Sequence, residues 1–215
     1  ELGDITIDSA GKLIISNVAD TVSATATSGT LTIDATEVGP LSTHVTTIDI
    51  ESTANAAISI DETDGLIIEN IQTSAADGIT INANGEVTQT NEIIAEKLKI
   101  TNDGGAVTLT DSDNAVNSFE IVNTDTGSTG TNNVAFTNTV VADITSGGIT
   151  GGDIVLNSAG LTQTGVITGT SLDIANSGGV VTLDENNAVS NVEIDNAIRA
   201  VAFTNTTAAD ITSGG

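Results

Sequence analysis

The sequence predicts an all-β fold, a parallel β-solenoid with about 20 residues per coil, on the strength of three observations. A unit of about seventy-five residues recurs nearly three times along the 215-residue chain. Within each unit, short runs alternate apolar and polar residues, the period of a half-buried strand. The composition supplies β-branched and turn-forming residues in abundance and almost no aromatic bulk.

The repeat decides the architecture. Gly152-Asp153-Ile154-Val155-Leu156-Asn157-Ser158-Ala159-Gly160 restates Gly3-Asp4-Ile5-Thr6-Ile7-Asp8-Ser9-Ala10-Gly11 at an offset of 149, and Gly78-Ile79-Thr80-Ile81-Asn82-Ala83-Asn84-Gly85 falls midway with one residue fewer. The single solenoid therefore divides into units 3–77, 78–151 and 152–215, the last truncated. Thr88-Gln89-Thr90 returns as Thr162-Gln163-Thr164 at an offset of 74, and Asn114-Ala115-Val116 returns as Asn187-Ala188-Val189 at 73. Val134-Ala135-Phe136-Thr137-Asn138-Thr139 returns as Val201-Ala202-Phe203-Thr204-Asn205-Thr206 at only 67. The middle unit thus carries about six extra residues near Asn123–Gly130, a loop bulging from one turn.

Alternation gives the strands. In Ile48-Asp49-Ile50-Glu51, Ile58-Ser59-Ile60-Asp61, Phe119-Glu120-Ile121 and Val192-Glu193-Ile194-Asp195, the apolar residues share one face and the polar ones the other. In the last unit such triplets centre near Ile154, Asp173, Glu193 and Ile211, a step of about 20 residues, with a second row through Val181-Thr182-Leu183 and Val201-Ala202-Phe203. Coils stacked at about 4.8 Å, eleven or so of them, give a rod roughly 50 Å long. One stretch, Asn91–Ile100, reads locally as helix, with acid and base three residues apart. Its counterpart Gly165–Ile174 has no such features, and equivalent positions share a conformation, so both are turn plus strand.

Composition bounds the function. Three Phe are the only aromatics and Met and Cys are absent, so the core needs small, uniform side chains, and no disulfide or thiolate metal site can form. The formal net charge of -25 argues against nucleic acid and anionic membranes as partners, and for cations. No apolar run approaches the roughly 20 residues that span a bilayer, which argues against membrane insertion. The chain opens without Met and stops within a repeat, the pattern expected of a mature or excerpted piece of something longer.

Candidate chemistry is thin. His44 is the only His and cannot assemble a multi-His metal site, so it is expected on the surface. No Gly-x-Ser-x-Gly elbow is present, and the acids are spread along every unit instead of gathered at one cleft, so the chain is expected not to be an enzyme; a polysaccharide-active β-helix enzyme stands as a distant alternative. Acid and Asn clusters at turns offer oxygen ligands suited to calcium: Asp61 and Asp64, Asp111 and Asp113, and Asp184. None has EF-hand spacing, so Asx turns are the plainer explanation and no cofactor is required. Carboxylates on neighbouring coils, about 5 Å apart, would repel by roughly 0.8 kcal/mol in water, which makes counter-ion binding a physical expectation. Recurrent Thr-x-Thr pairs do not occur once per coil, as a regular ice-binding array requires, and tandem glycines lack the Lys-Ser/Thr of a phosphate loop.

The pattern of Gly152–Gly160, Leu161–Gly165, Ser171–Ala175, Gly178–Leu183 and Asn187–Val189 resembles the β-strand repeats of filamentous-haemagglutinin-like bacterial exoproteins. That resemblance implies a right-handed parallel β-helix, export to the cell exterior or surface, and a role in filaments, adhesion or biofilm. Open coil ends point to a homo-oligomer or further repeats of the same polypeptide as partners, with a host or matrix surface ligand besides, and the acidic turns make a calcium-responsive adhesion module the alternative. The resemblance transfers no functional residue.

Overall fold

The computed structural model describes residues 8–9, 13–22, 25–26, 29–52, 56–125, 132–196 and 199–212. All regular elements among them are strands, and every strand pairing is parallel. Parallel pairing between successive passes of the chain is what a solenoid requires, since each strand must return in the same direction one coil later. The stack is explicit in the register. Leu66 lies beside Val87, Val87 beside Val107, Val107 beside Val134, Val134 beside Ile154, Ile154 beside Leu172, Leu172 beside Val192 and Val192 beside Ile211.

A second column lines another wall: Leu41, Ile60, Ile81, Ile100, Ile121, Ile149 and Ile167 succeed one another rung by rung. All seven are buried, with exposures of 0–2%. Each such side chain contributes about 1.5–3 kcal/mol on burial, and each packs against its like above and below. That is why a core with no Met, Trp or Tyr can be dense: identical β-branched shapes nest without irregular gaps.

The alternation rule holds along these strands. Ile48 and Ile50 are buried between half-buried Asp49 and Glu51, and Ile58 and Ile60 flank half-buried Ser59. The helix-like stretch lies in strand Ile93–Asp103, and its counterpart in strand Ile167–Asn176. Periodicity outweighs local propensity there because Leu98 and Ile100 are wedged between Ile79 and Ile81 on one side and Phe119 and Ile121 on the other.

Val134 to Ile154 is a step of 20 residues, but Val107 to Val134 is one of 27, so the extra residues of the middle unit sit in that coil. Residues 126–131 of the proposed loop, and the first repeat landmark apart from Asp8 and Ser9, lie outside the described residues. Phe119 and Phe136 meet in the core with ring centroids 4.7 Å apart and planes tilted by 50°.

Candidate functional site

Polar side chains turned into the core are the feature that sequence alternation does not foresee. Asn114, fully buried, accepts at Oδ1 from Gln89 Nε2 (2.9 Å) and from the Ile93 N–H (2.7 Å). Its Nδ2 donates to Gln89 Oε1 (3.0 Å) and to the Thr137 carbonyl (3.0 Å). One unit later the arrangement recurs atom for atom. Asn187 accepts from Gln163 Nε2 (2.9 Å) and the Ile167 N–H (2.8 Å), and donates to Gln163 Oε1 (2.9 Å) and the Thr204 carbonyl (3.0 Å).

The next rung closes over each clamp. Asn138 Oδ1 accepts from the Val116 N–H at 2.9 Å and its Nδ2 returns a bond to the Val116 carbonyl at 2.9 Å; Asn205 does the same for Val189 at 3.0 and 2.8 Å. The hydroxyls of Thr139 and Thr206 donate to the carbonyls of Asn114 and Asn187 at 2.7 and 2.8 Å. Thr-Gln-Thr, Asn-Ala-Val and Thr-Asn-Thr, three landmarks separate in sequence, are therefore one module spanning three rungs. A buried amide is costly unless it is satisfied, and these amides also satisfy backbone groups at turns where the strand ladder is interrupted.

A second polar group lies outside. Glu120 points outward as alternation predicts, yet its side chain is only 6% exposed. Lys99 Nζ lies 2.8 Å from its Oε1 and Lys97 Nζ 3.8 Å from its Oε2, while Thr145 Oγ1 (2.9 Å) and the Gly147 N–H (3.2 Å) donate to Oε2. The register of strand Ala142–Thr150 skips between Ile144 and Ile149 at this point, folding a bulge over the carboxylate. Gly147 packs directly against the carboxylate, and a Cβ there would sit 2.5 Å from the Glu120 carboxyl carbon, so a larger residue would displace the Glu120 side chain. Burial pushes the Glu120 carboxyl up, and the hydrogen bonds from Lys99 and Thr145 with the attraction of both lysines outweigh it, holding the group below its ordinary value. Lys99, three residues after Glu96 in the helix-like stretch, is instead with Lys97 a partner of Glu120 on the next rung.

Among the described residues Glu62 is a carboxylate buried at a corner, with 5% of the residue exposed. It accepts from the N–H groups of Val45 (3.1 Å) and Thr63 (2.8 Å), but burial dominates and raises its pKa.

Several of the remaining acids lie beside hydroxyl or amide donors. Asn82 donates to Asp61 at 2.6 Å, Thr162 to Asp143 at 2.8 Å, Ser171 to Asp153 at 2.6 Å and Asn117 to Glu96 at 2.8 Å. Acid lies directly on acid at only two of the described strand pairs, Asp34 with Glu51 and Asp173 with Glu193. Of the candidate calcium ligands, Asp61 is thus engaged by Asn82, and Asp64 lies 3.0 Å from exposed His44. Asp111 accepts from the Asp113 N–H at 2.8 Å in an Asx turn, and Asp184 is an exposed residue within strand Val181–Asn196. Of the candidate pairs only Asp111 and Asp113 are in contact; Asp61 stands on strand Ile58–Glu62 and Asp64 in the turn after it, each with its own partner, and no group of three or more His, Asp or Glu side chains converges among the described residues. The concavities are open surface grooves; one of about 430 Å³ runs past Thr137, Asn157 and Asn176.

The architecture and its internal clamps define a β-solenoid repeat protein. No family model, curated protein or solved structure matches this chain.

Proposed function

We propose that this chain is an extracellular structural protein, a segment or subunit of a fibre or surface adhesin assembled by stacking solenoid coils. The observation that carries this reading is the uninterrupted parallel column from Leu66 to Ile211, in which each rung is at once a product of the stack below and a template for the next. The likeness of its repeats to those of filamentous-haemagglutinin-like exoproteins supports export and adhesion. The spread of acids among hydroxyl and amide neighbours supports it too, since a net charge of -25 keeps long repetitive rods soluble without concentrating repulsion on any one face. Electron microscopy with fibre diffraction tests the reading. Rods or filaments with a reflection near 4.8 Å along their axis are expected. Compact isolated particles at every salt concentration would sink it.

A further inference from the structure

We infer that the third unit carries a binding groove for a neutral saccharide, opened where a corner of that unit has lost bulk relative to the second. The inference deepens the adhesin part of the reading above, from which it takes its setting, and the fibre part stands without it. The groove, of about 430 Å³, crosses successive rungs past Thr137, Asn157 and Ala175 on the outer wall and Ser158, Asn176 and Ser177 at the corner. Its volume falls within the roughly 300–1,000 Å³ of small-molecule sites.

Turn length and side-chain size together make the space. Strand Asp153–Ser158 passes into Leu161–Gln163 through Ala159 and Gly160 alone, whereas residues 138–141 make the turn one rung before and residues 177–180 the turn one rung after. A short turn between two longer ones leaves room beside Ser158. The equivalent corner of the second unit is bulkier: its turn keeps Glu86, for which the third unit has no residue, and Thr101 and Asp103 stand where the third unit has Ala175 and Ser177.

What the groove offers a ligand is chiefly hydrogen-bond acceptors. Asn157 commits its Nδ2 to Thr137 Oγ1 at 3.2 Å, which leaves its Oδ1 and the Thr137 hydroxyl proton to meet a partner. Asn176, 7% exposed, donates through Nδ2 to the Gly179 carbonyl and to Asn196 Oδ1 at 2.6 and 3.1 Å, while its Oδ1 is the only buried side-chain polar atom left without a partner among the described residues. A buried acceptor with no donor costs free energy, so a ligand that brings a donor to the floor of the groove, directly or through one bridging water, gains by satisfying it. An uncharged, hydroxyl-rich ligand fits this set. Its O–H groups donate to Asn157 and Asn176, and its C–H faces rest on the exposed Ala175 methyl and the Thr137 methyl. Anionic glycans are opposed by the net charge of -25. The groove has no aromatic residue in its lining, so a single site binds weakly and a fibre bearing many copies supplies the avidity.

Saturation-transfer NMR reads the small molecule and works on monomer and filament alike. The probes are cellotetraose, laminaritetraose and mannotetraose as neutral sugars, trigalacturonate as an anionic one and trilysine as a cation. At least one neutral sugar should bind in the roughly millimolar range, and trigalacturonate at least about tenfold more weakly at low salt. Two variants place the site. Inserting Glu between Gly160 and Leu161 gives the third unit the turn of the second, where the stack is intact, and Ala175→Phe sets a ring on the outer wall within the groove. Each should weaken sugar binding at least about tenfold with an unchanged far-ultraviolet circular dichroism spectrum. No signal from any neutral sugar, a signal that survives both variants, or binding of trilysine in place of the sugars would overturn the groove, and each leaves filaments in the microscope untouched. Sugar binding by a chain that forms no filaments at any salt concentration would uphold the groove and remove the fibre reading alone.

Discussion

The second and third units hold the same residues at one corner and satisfy them differently. In the second, Asn102 Nδ2 donates to Asn123 Oδ1 at 3.0 Å and Asn102 Oδ1 accepts from the Gly85 N–H at 3.3 Å. In the third, Asn176 Nδ2 donates to Asn196 Oδ1 at 3.1 Å and to the Gly179 carbonyl at 2.6 Å, but Asn176 Oδ1 is buried without a partner. Two local differences accompany the change: the turn is one residue shorter, and Ser158 stands where the second unit has Ala83. Gly85-Glu86-Val87 is shortened to Gly160-Leu161, and the Gly160 N–H turns to Ser158 Oγ at 3.4 Å. The strand register on either side is unaffected. A deletion in a turn costs this scaffold a hydrogen bond and leaves the stack intact.

The sharpest way to break the comparison is at the clamp the two units share. Asn114→Ala strands the Ile93 N–H, the Thr137 carbonyl and the Gln89 amide in the core, and should cost about 3–5 kcal/mol in urea denaturation, with Asn187→Ala similar. A loss below about 1 kcal/mol would mean that the clamps do not hold the coils.

The corner itself offers a smaller contrast. Because Asn102 makes a bond that Asn176 lacks, Asn102→Ala should be the more damaging of the two by about 1 kcal/mol. Equal losses would show that the Gly85 contact is energetically idle.

The third contrast concerns charge. Glu120 lies among Lys97, Lys99 and Thr145, whereas its counterpart Glu193 sits directly beside Asp173. Glu120→Gln should cost about 1 kcal/mol and Glu193→Gln nothing, the lysines being partly exposed and screened. The pH dependence separates Glu120 from Glu62 as well. Glu120, held low, stabilises the fold above the ordinary carboxylate range, and that contribution is lost as pH falls through its folded pKa. Glu62, held high by burial, acts in the opposite sense: it favours the fold below the ordinary carboxylate range and loses that contribution as pH rises through its folded pKa. Carbon-detected NMR titration should place the Glu62 midpoint above that of Glu120; the reverse order would refute both environments.

Much of this was legible in the sequence, and for a physical reason. Period-two alternation is enforced by strand geometry, so the buried ladder of Ile60, Ile81, Ile100 and Ile121 could be read from each run alone. The row Val181-Thr182-Leu183 on Val201-Ala202-Phe203 was equally readable, because the coil step repeats. The helix-like Lys97 and Lys99 yielded to the same logic. The pairing of Gln89 with Asn114 was not legible. The two are 25 residues apart in a chain rich in Asn and Thr, and nothing in alternation says that an amide at a corner turns inward. What could have been noticed is that Thr-Gln-Thr and Asn-Ala-Val keep nearly the same offset between units, as residues that touch must. The burial of Glu120 was hidden for another reason: its direction follows from alternation, but its covering depends on a bulge contributed 25 residues later.

The long coil between Val107 and Val134 has a consequence for how such a molecule can change over time. Since each rung answers only to its neighbours, a detour that leaves the wall and rejoins it in register is charged only for closing its own loop, and doubling its length adds about 0.6 kcal/mol. That coil is a side port: a site where the chain can acquire, exchange or enlarge an appendage while the rod on which it rides stays the same.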